Sequence, residues 1–114
     1  MATELLPEVR EDHQQEDQDQ SSQKALPPWN VVLLDDDDHT YDYVIEMLQR
    51  LFGHPRQLAY LMAVEVDTVG RVIVLTTSRE RAELERDRIH AYGADPRLSR
   101  CKGSMSAIIE PASG

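Results

Sequence analysis

Short β-branched runs alternate with stretches of helical periodicity along this chain, and no other feature restricts its fold so strongly. WNVVLL, from Trp29, is a continuous apolar run of strand length and reads as a buried strand. From Thr40 the period changes: Tyr41, Val44, Ile45, Leu48, Leu51 and Phe52 recur at helical spacing, and Gly53 stops the helix. Pro55 opens a second helix, because its missing N–H costs nothing in a first turn, and Leu58, Leu61 and Met62 are its expected inner face. Thr68-Val69-Gly70 turns the chain into a second strand, RVIVLT (71–76). Thr77-Ser78-Arg79-Glu80 has the spacing of a capping box and starts a third helix to about Tyr92, with Gly93 as its stop. SMSAIIE (104–110) alternates and ends at Pro111, a third strand. The order β-α-α-β-α-β predicts a small α/β sandwich, a three-stranded sheet packed on three helices. A domain of this size buries only about 60% of its surface. Any site must therefore lie in a surface groove, where a strand hands over to a helix.

The first 27 residues are a different material. They hold seven acidic side chains against Arg10 and Lys24, are rich in glutamine and serine, and give way to the rest of the chain at the Pro27-Pro28 pair. So little apolar surface cannot offset the entropy of ordering, so residues 1–27 are expected to be a disordered tail and 28–112 the folded core. The tail reads either as a solubilising leader or as a tether that acts when a partner is present.

Charge and cysteine content exclude several classes. The 114-residue chain carries a net charge of −9, which is wrong for a nucleic-acid binder. Its single cysteine, Cys101, excludes an intrachain disulfide and fits a reducing, cytoplasmic setting. No apolar run approaches the roughly 18 residues of a membrane span, and MATELLPEVREDHQQ lacks the basic-then-apolar order of a secretory signal.

The feature that asks for a function is LLDDDDHT (33–40), in which Asp35, Asp36, Asp37 and Asp38 run together between a strand and a helix. Asp35, Asp37, His39 and Glu46 have the arithmetic of a calcium loop, but Thr40 stands where that loop needs Gly. His13, His39, His54 and His90 are scattered and Cys101 has no cysteine partner, which argues against zinc. No nucleophile elbow, phosphate-binding glycine loop or Cys-x-x-Cys is present, so catalysis has little support, with an acid/base pair among the many carboxylates as the one form left open. His90, late in the third helix, reads as a charge for the helix C-terminus. Capping by Asp38 or by His39-Thr40 accounts for one or two of the acids. The rest form a carboxylate cluster suited to a cationic partner.

NVVLLDDDD, YVIEMLQRLF, VDTVGRVIV, RERAELER and SMSAIIEPA together resemble the ClpS adaptors of the Clp AAA+ protease over roughly residues 28–112. The resemblance implies a monomeric, non-enzymatic adaptor without a cofactor and with a disordered N-terminal extension. Its implied partners are protein substrates with a bulky N-terminal residue and a ClpA- or ClpC-type unfoldase. It places Asp35, Asp36 and Asp37 on the family's Asn-Asp-Asp, which holds the substrate's α-amine, with Asp35 replacing the amide. The family threonine becomes His39, a gating methionine becomes Tyr41, and a wall valine is kept as Val44. A second methionine becomes Ala63, an amine-binding histidine becomes Asp67, and a wall leucine becomes Met105. Toward the unfoldase, Glu80 keeps an acid, while a family lysine falls on Glu85 beside Arg86. These changes add carboxylates but remove the amide and the histidine. Tyr41 is expected to wall off the pocket, Ala63 to enlarge it, and the crowded acids to raise one another's pKa values. Two readings follow: an adaptor for N-terminal degrons, and a docking-only modulator of the unfoldase. A small hydrolase has no motif behind it.

Overall fold

The computed structural model describes residues 26–112. Apart from Leu26 and Pro27, the expected tail lies outside the described residues. The elements are β1 (Trp29–Leu34), α1 (Tyr41–Phe52), α2 (Arg56–Val69), β2 (Arg71–Thr77), α3 (Arg79–His90) and β3 (Ala107–Pro111), in the expected order. β1 is the central strand and runs antiparallel to β2 on one side and β3 on the other. Among the described residues no helix is long and apolar enough to cross a membrane.

The core joins Val31 and Leu33 of β1, Val72 and Val74 of β2 and Ala107 of β3 to the inner faces of the helices. α1 contributes Tyr43, Val44, Ile45, Met47 and Leu48, and each large apolar side chain so buried adds about 1.5–3 kcal/mol. α2 corrects its expected face. Ala59, Ala63 and Val66 are buried, whereas Leu58 and Leu61 are 39% and 56% exposed and only Met62 of the expected trio packs on the core. Small residues face inward on α2, and the helical stripe is rotated away from the leucines.

The ends of the elements follow local chemistry. Thr40 is the N-cap of α1, its Oγ1 accepting the Tyr43 N–H at 3.2 Å, so no aspartate serves as that cap. α3 is capped by Ser78, which accepts the Arg81 N–H at 3.3 Å, one residue after the predicted cap, Thr77, which instead ends β2. α3 ends at His90, two residues early, and the His90 ring nitrogen lies 3.1 Å from the main chain of Ala107, tying α3 to β3. β3 starts at Ala107 rather than 104; the Ser106 carbonyl still accepts the Leu34 N–H of β1 at 3.0 Å, while Ser104 Oγ turns away to accept the Gly93 N–H at 2.6 Å. Between Val31 and Val32 the β1–β2 register slips by one residue, leaving Val74 as the extra residue, and His54 Nε2 donates to the Val74 carbonyl at 2.8 Å.

Candidate functional site: an acidic cleft between α1 and α2

The site begins where β1 ends. The Asp35 N–H donates to the Gly70 carbonyl at 3.0 Å, so the first acid is pinned against the C-terminal end of α2. Gly70 ends that helix at φ 99°, a left-handed geometry that favours glycine. This one contact brings Asp67, three positions earlier on α2, up to the aspartate run. The next acids fold back on themselves: Asp36 Oδ1 accepts both the Asp38 N–H at 2.9 Å and His39 Nδ1 at 2.7 Å. The other ring nitrogen of His39 lies 2.8 Å from the Gly103 carbonyl and 3.3 Å from Cys101 Sγ. His39 therefore bridges the loop after β1 and the loop before β3, with its side chain only 4% exposed.

A cleft opens at this junction, lined by Asp35, Asp36, His39, Thr40, Tyr41, Val44, Ala63, Val66, Asp67 and Met105. Eight of the expected site residues are thus brought together. Asp37 is not; it is exposed, and its carbonyl accepts from Arg100 Nη2 at 2.7 Å while Arg100 Nε reaches Asp38 at 3.2 Å. Two lining residues were not expected. Val66 lies one turn beyond Ala63 on the same face of α2, a spacing that could have identified it. Thr40 was read only as a cap.

Floor and rim differ in chemistry. Val44, Ala63, Val66 and Met105 are all buried at 4% exposure or less and form an apolar floor. Asp35, Asp36 and Asp67 form an acidic rim. Partial burial pushes the Asp35 carboxyl up, against a hydrogen bond from the main chain, and the charges of Asp67, Asp37 and Asp36 push it further. The Tyr41 hydroxyl donates to Asp67 Oδ2 at 2.6 Å across the rim, which pushes the phenol up to about 12. The cavity beneath measures ≈ 30 Å³. An apolar cavity that accepts a benzene ring is about 150 Å³. Ala63, expected to enlarge the pocket, thus leaves no large void beneath the rim.

Asp95 supports the rim from behind, and nothing in its sequence neighbourhood marks it. It is 1% exposed and accepts the Thr40 N–H and Oγ1–H, both at 2.8 Å, together with the Arg97 N–H at 3.0 Å. Burial alone would raise its pKa, but these donors prevail and pull it down to about 2. The interaction spans 55 residues of sequence. Glu46, the last position of the calcium-loop arithmetic, pairs with Arg97 Nη2 at 2.6 Å. Among the described residues no group of three or more His, Cys, Asp or Glu side chains is placed to hold a metal ion.

On α3 the expected docking residues separate. Glu80 is exposed and Arg86 half-buried, but Glu85 is 0% exposed. Its carboxylate receives Arg81 Nε at 2.6 Å and Arg88 Nη1 at 2.9 Å, so it is a structural charge rather than a surface contact. Its place on the inner side of the helix, beside Ala82 and Ile89, is the reason.

Residues 24–97 match the family described as ATP-dependent Clp protease adaptor protein ClpS. The chain is 32% identical over 73 residues to the ATP-dependent Clp protease adapter protein ClpS of Mycobacterium marinum, a match covering 64% of this chain and 72% of that one. With the protein of the same description from Nocardia farcinica it is 33% identical over 66 residues, or 58% of this chain and 62% of the relative, less than two thirds of that relative's length. Among solved structures, Agrobacterium tumefaciens ClpS2 bound to L-phenylalaninamide shares the fold with a TM-score of 0.65, over 75% of this chain and 98% of that one, at 19% identity. The match over residues 24–97 and the β-α-α-β-α-β architecture agree, and the chain belongs to the ClpS family of ATP-dependent Clp protease adaptor proteins, a family of adaptors rather than enzymes.

Proposed function

We propose that the α1–α2 cleft reads the free N-terminus of a protein substrate and that the chain presents this substrate to a ClpA- or ClpC-type unfoldase. The carrying observation is the division of the cleft into an acidic rim of Asp35, Asp36 and Asp67 over an apolar floor of Val44, Ala63, Val66 and Met105. An α-ammonium is attracted by the rim, and the first side chain is taken by the floor. The ligand of the Agrobacterium relative, L-phenylalaninamide, unites a free amine with an aromatic side chain, the two features this division would select. Glu80 and Arg86 on α3 are the proposed contacts to the unfoldase. The adaptor acts as a cytoplasmic monomer.

A test is fluorescence anisotropy with peptides beginning with Leu, Phe, Tyr, Trp, Arg or Met, each free and N-acetylated. Binding of a bulky class that acetylation abolishes is the expected result. Binding indifferent to acetylation, or none, favours the second reading, a docking-only modulator of the unfoldase. The observation on that side is the cavity of ≈ 30 Å³ under Tyr41.

A further inference from the structure

We propose that Asp67 is an exchangeable acceptor that couples recognition of a free amine to opening of the cleft: it holds the Tyr41 hydroxyl while the cleft is closed and gives up that bond to the ammonium of an incoming chain. This deepens the N-terminus-reading function and rests on it.

Tyr41 is the first residue of α1, and Asp67 lies in the last turn of α2. Their 2.6 Å bond joins the two helices that flank the cleft, across a separation of 26 residues. With the bond made, the cavity of ≈ 30 Å³ has room for water but not for a leucine or phenylalanine side chain. A bulky first residue therefore enters only when the tyrosine moves. The bond is suited to exchange because it is not buried: Tyr41 is 37% exposed, and water competes for both partners. A phenol brings a single neutral donor to the carboxylate, whereas an α-ammonium brings three donors and a full charge. Tyr41 has a second neighbour outside the rim, the Tyr60 ring on α2, with centroids 6.2 Å apart. Asp35 and Asp36 stay on the rim in either state. The closed latch thus lowers the fraction of molecules ready to bind, and removing it raises apparent affinity by the inverse of that fraction.

The test is a double-mutant cycle on the full chain with Tyr41→Phe and Asp67→Ala, read by anisotropy with Phe- and Leu-initiated peptides, free and N-acetylated. Tyr41→Phe is expected to bind the free peptides about three- to tenfold tighter than the wild type while still rejecting the acetylated ones. In the Asp67→Ala background, where no latch exists, the same substitution is expected to change affinity by less than about twofold. Wild-type affinity in Tyr41→Phe, with selectivity for the free amine retained, overturns the latch and leaves the N-terminus reader standing. Equal tightening in both backgrounds also overturns it, because the Tyr41 hydroxyl would then act independently of Asp67. If no free-amine peptide binds the wild type or any variant, the reader itself fails and the latch with it.

Discussion

α3 and the rim of the cleft are both crowded with charge, yet they treat it in opposite ways. On α3 four arginines and four acids interleave, with Arg79–Glu83 at 3.5 Å, Arg86–Asp87 at 3.1 Å and Glu85 shared by Arg81 and Arg88. At the rim Asp35, Asp36 and Asp67 converge without an arginine or lysine lining the cleft. Charge on α3 is matched inside the molecule, so it contributes to the fold. On the rim Asp36 is held by His39 at 2.7 Å, Asp67 meets only the neutral Tyr41 hydroxyl, and the pKa of Asp35 is raised by partial burial and by its acidic neighbours. Asp95 belongs with α3 in this respect: it is buried, fully hydrogen-bonded and pulled down to about 2. The carboxylates matched by arginine here support the fold, and those without an arginine are the ones a cationic ligand could use.

This contrast breaks most visibly at Glu85. Glu85→Ala empties a fully buried position and removes the shared acceptor of Arg81 and Arg88, which are exposed enough to turn to water, and is expected to cost about 2–4 kcal/mol in urea unfolding. A loss below about 1 kcal/mol would mean that the buried carboxylate is no more structural than the rim. Asp95→Asn comes next, at about 1.5–3 kcal/mol, because the donors of Thr40 and Arg97 lose an ionised acceptor. It should also flatten the acid limb of the stability curve. With its folded pKa below the unfolded value, Asp95 contributes stability that is complete above about pH 4 and is lost as pH falls from there through about 2. Unfolding of the two proteins between those pH values checks the sign.

Asp35→Asn is expected to do the reverse. The folded state disfavours the Asp35 anion, so at pH 7 the substitution should leave stability within about 0.5 kcal/mol or raise it slightly. Binding of free-amine peptides should meanwhile weaken about tenfold. A clear loss of stability would remove the distinction between the two regions. The smallest effect is in pH dependence. Asp35 takes up its proton at a higher pH than an ordinary carboxylate, so wild-type affinity should begin to fall earlier on acidification than that of Asp35→Asn; coincident profiles would show that another rim acid controls binding.

Glu85 and the α2 leucines illustrate why some of this was legible and some was not. Each element has its own hydrophobic period, so their order could be read locally, and so could the Gly53 and Gly70 stops. Which side of α2 faces in depends on how closely α1 approaches, and the buried Ala59 and Ala63 answered that against Leu58 and Leu61. The same uncertainty turned Glu85 from an expected surface residue into a buried one. In the cleft, the resemblance placed eight residues that do converge, while Asp37 was lost to a turn made by the Asp36 side chain. Asp95 had no local signal, because its donors on Thr40 lie 55 residues away.

By itself, then, the sequence determined the elements, their order and the presence of an unbalanced acidic run, since these depend on backbone preference and composition over short windows. Only the tertiary structure decided which acids share a cleft, which are matched by arginine, and that the Tyr41 hydroxyl bonds Asp67 across it. Those outcomes depend on distances between residues far apart in the chain, set by how α1, α2 and the sheet pack together.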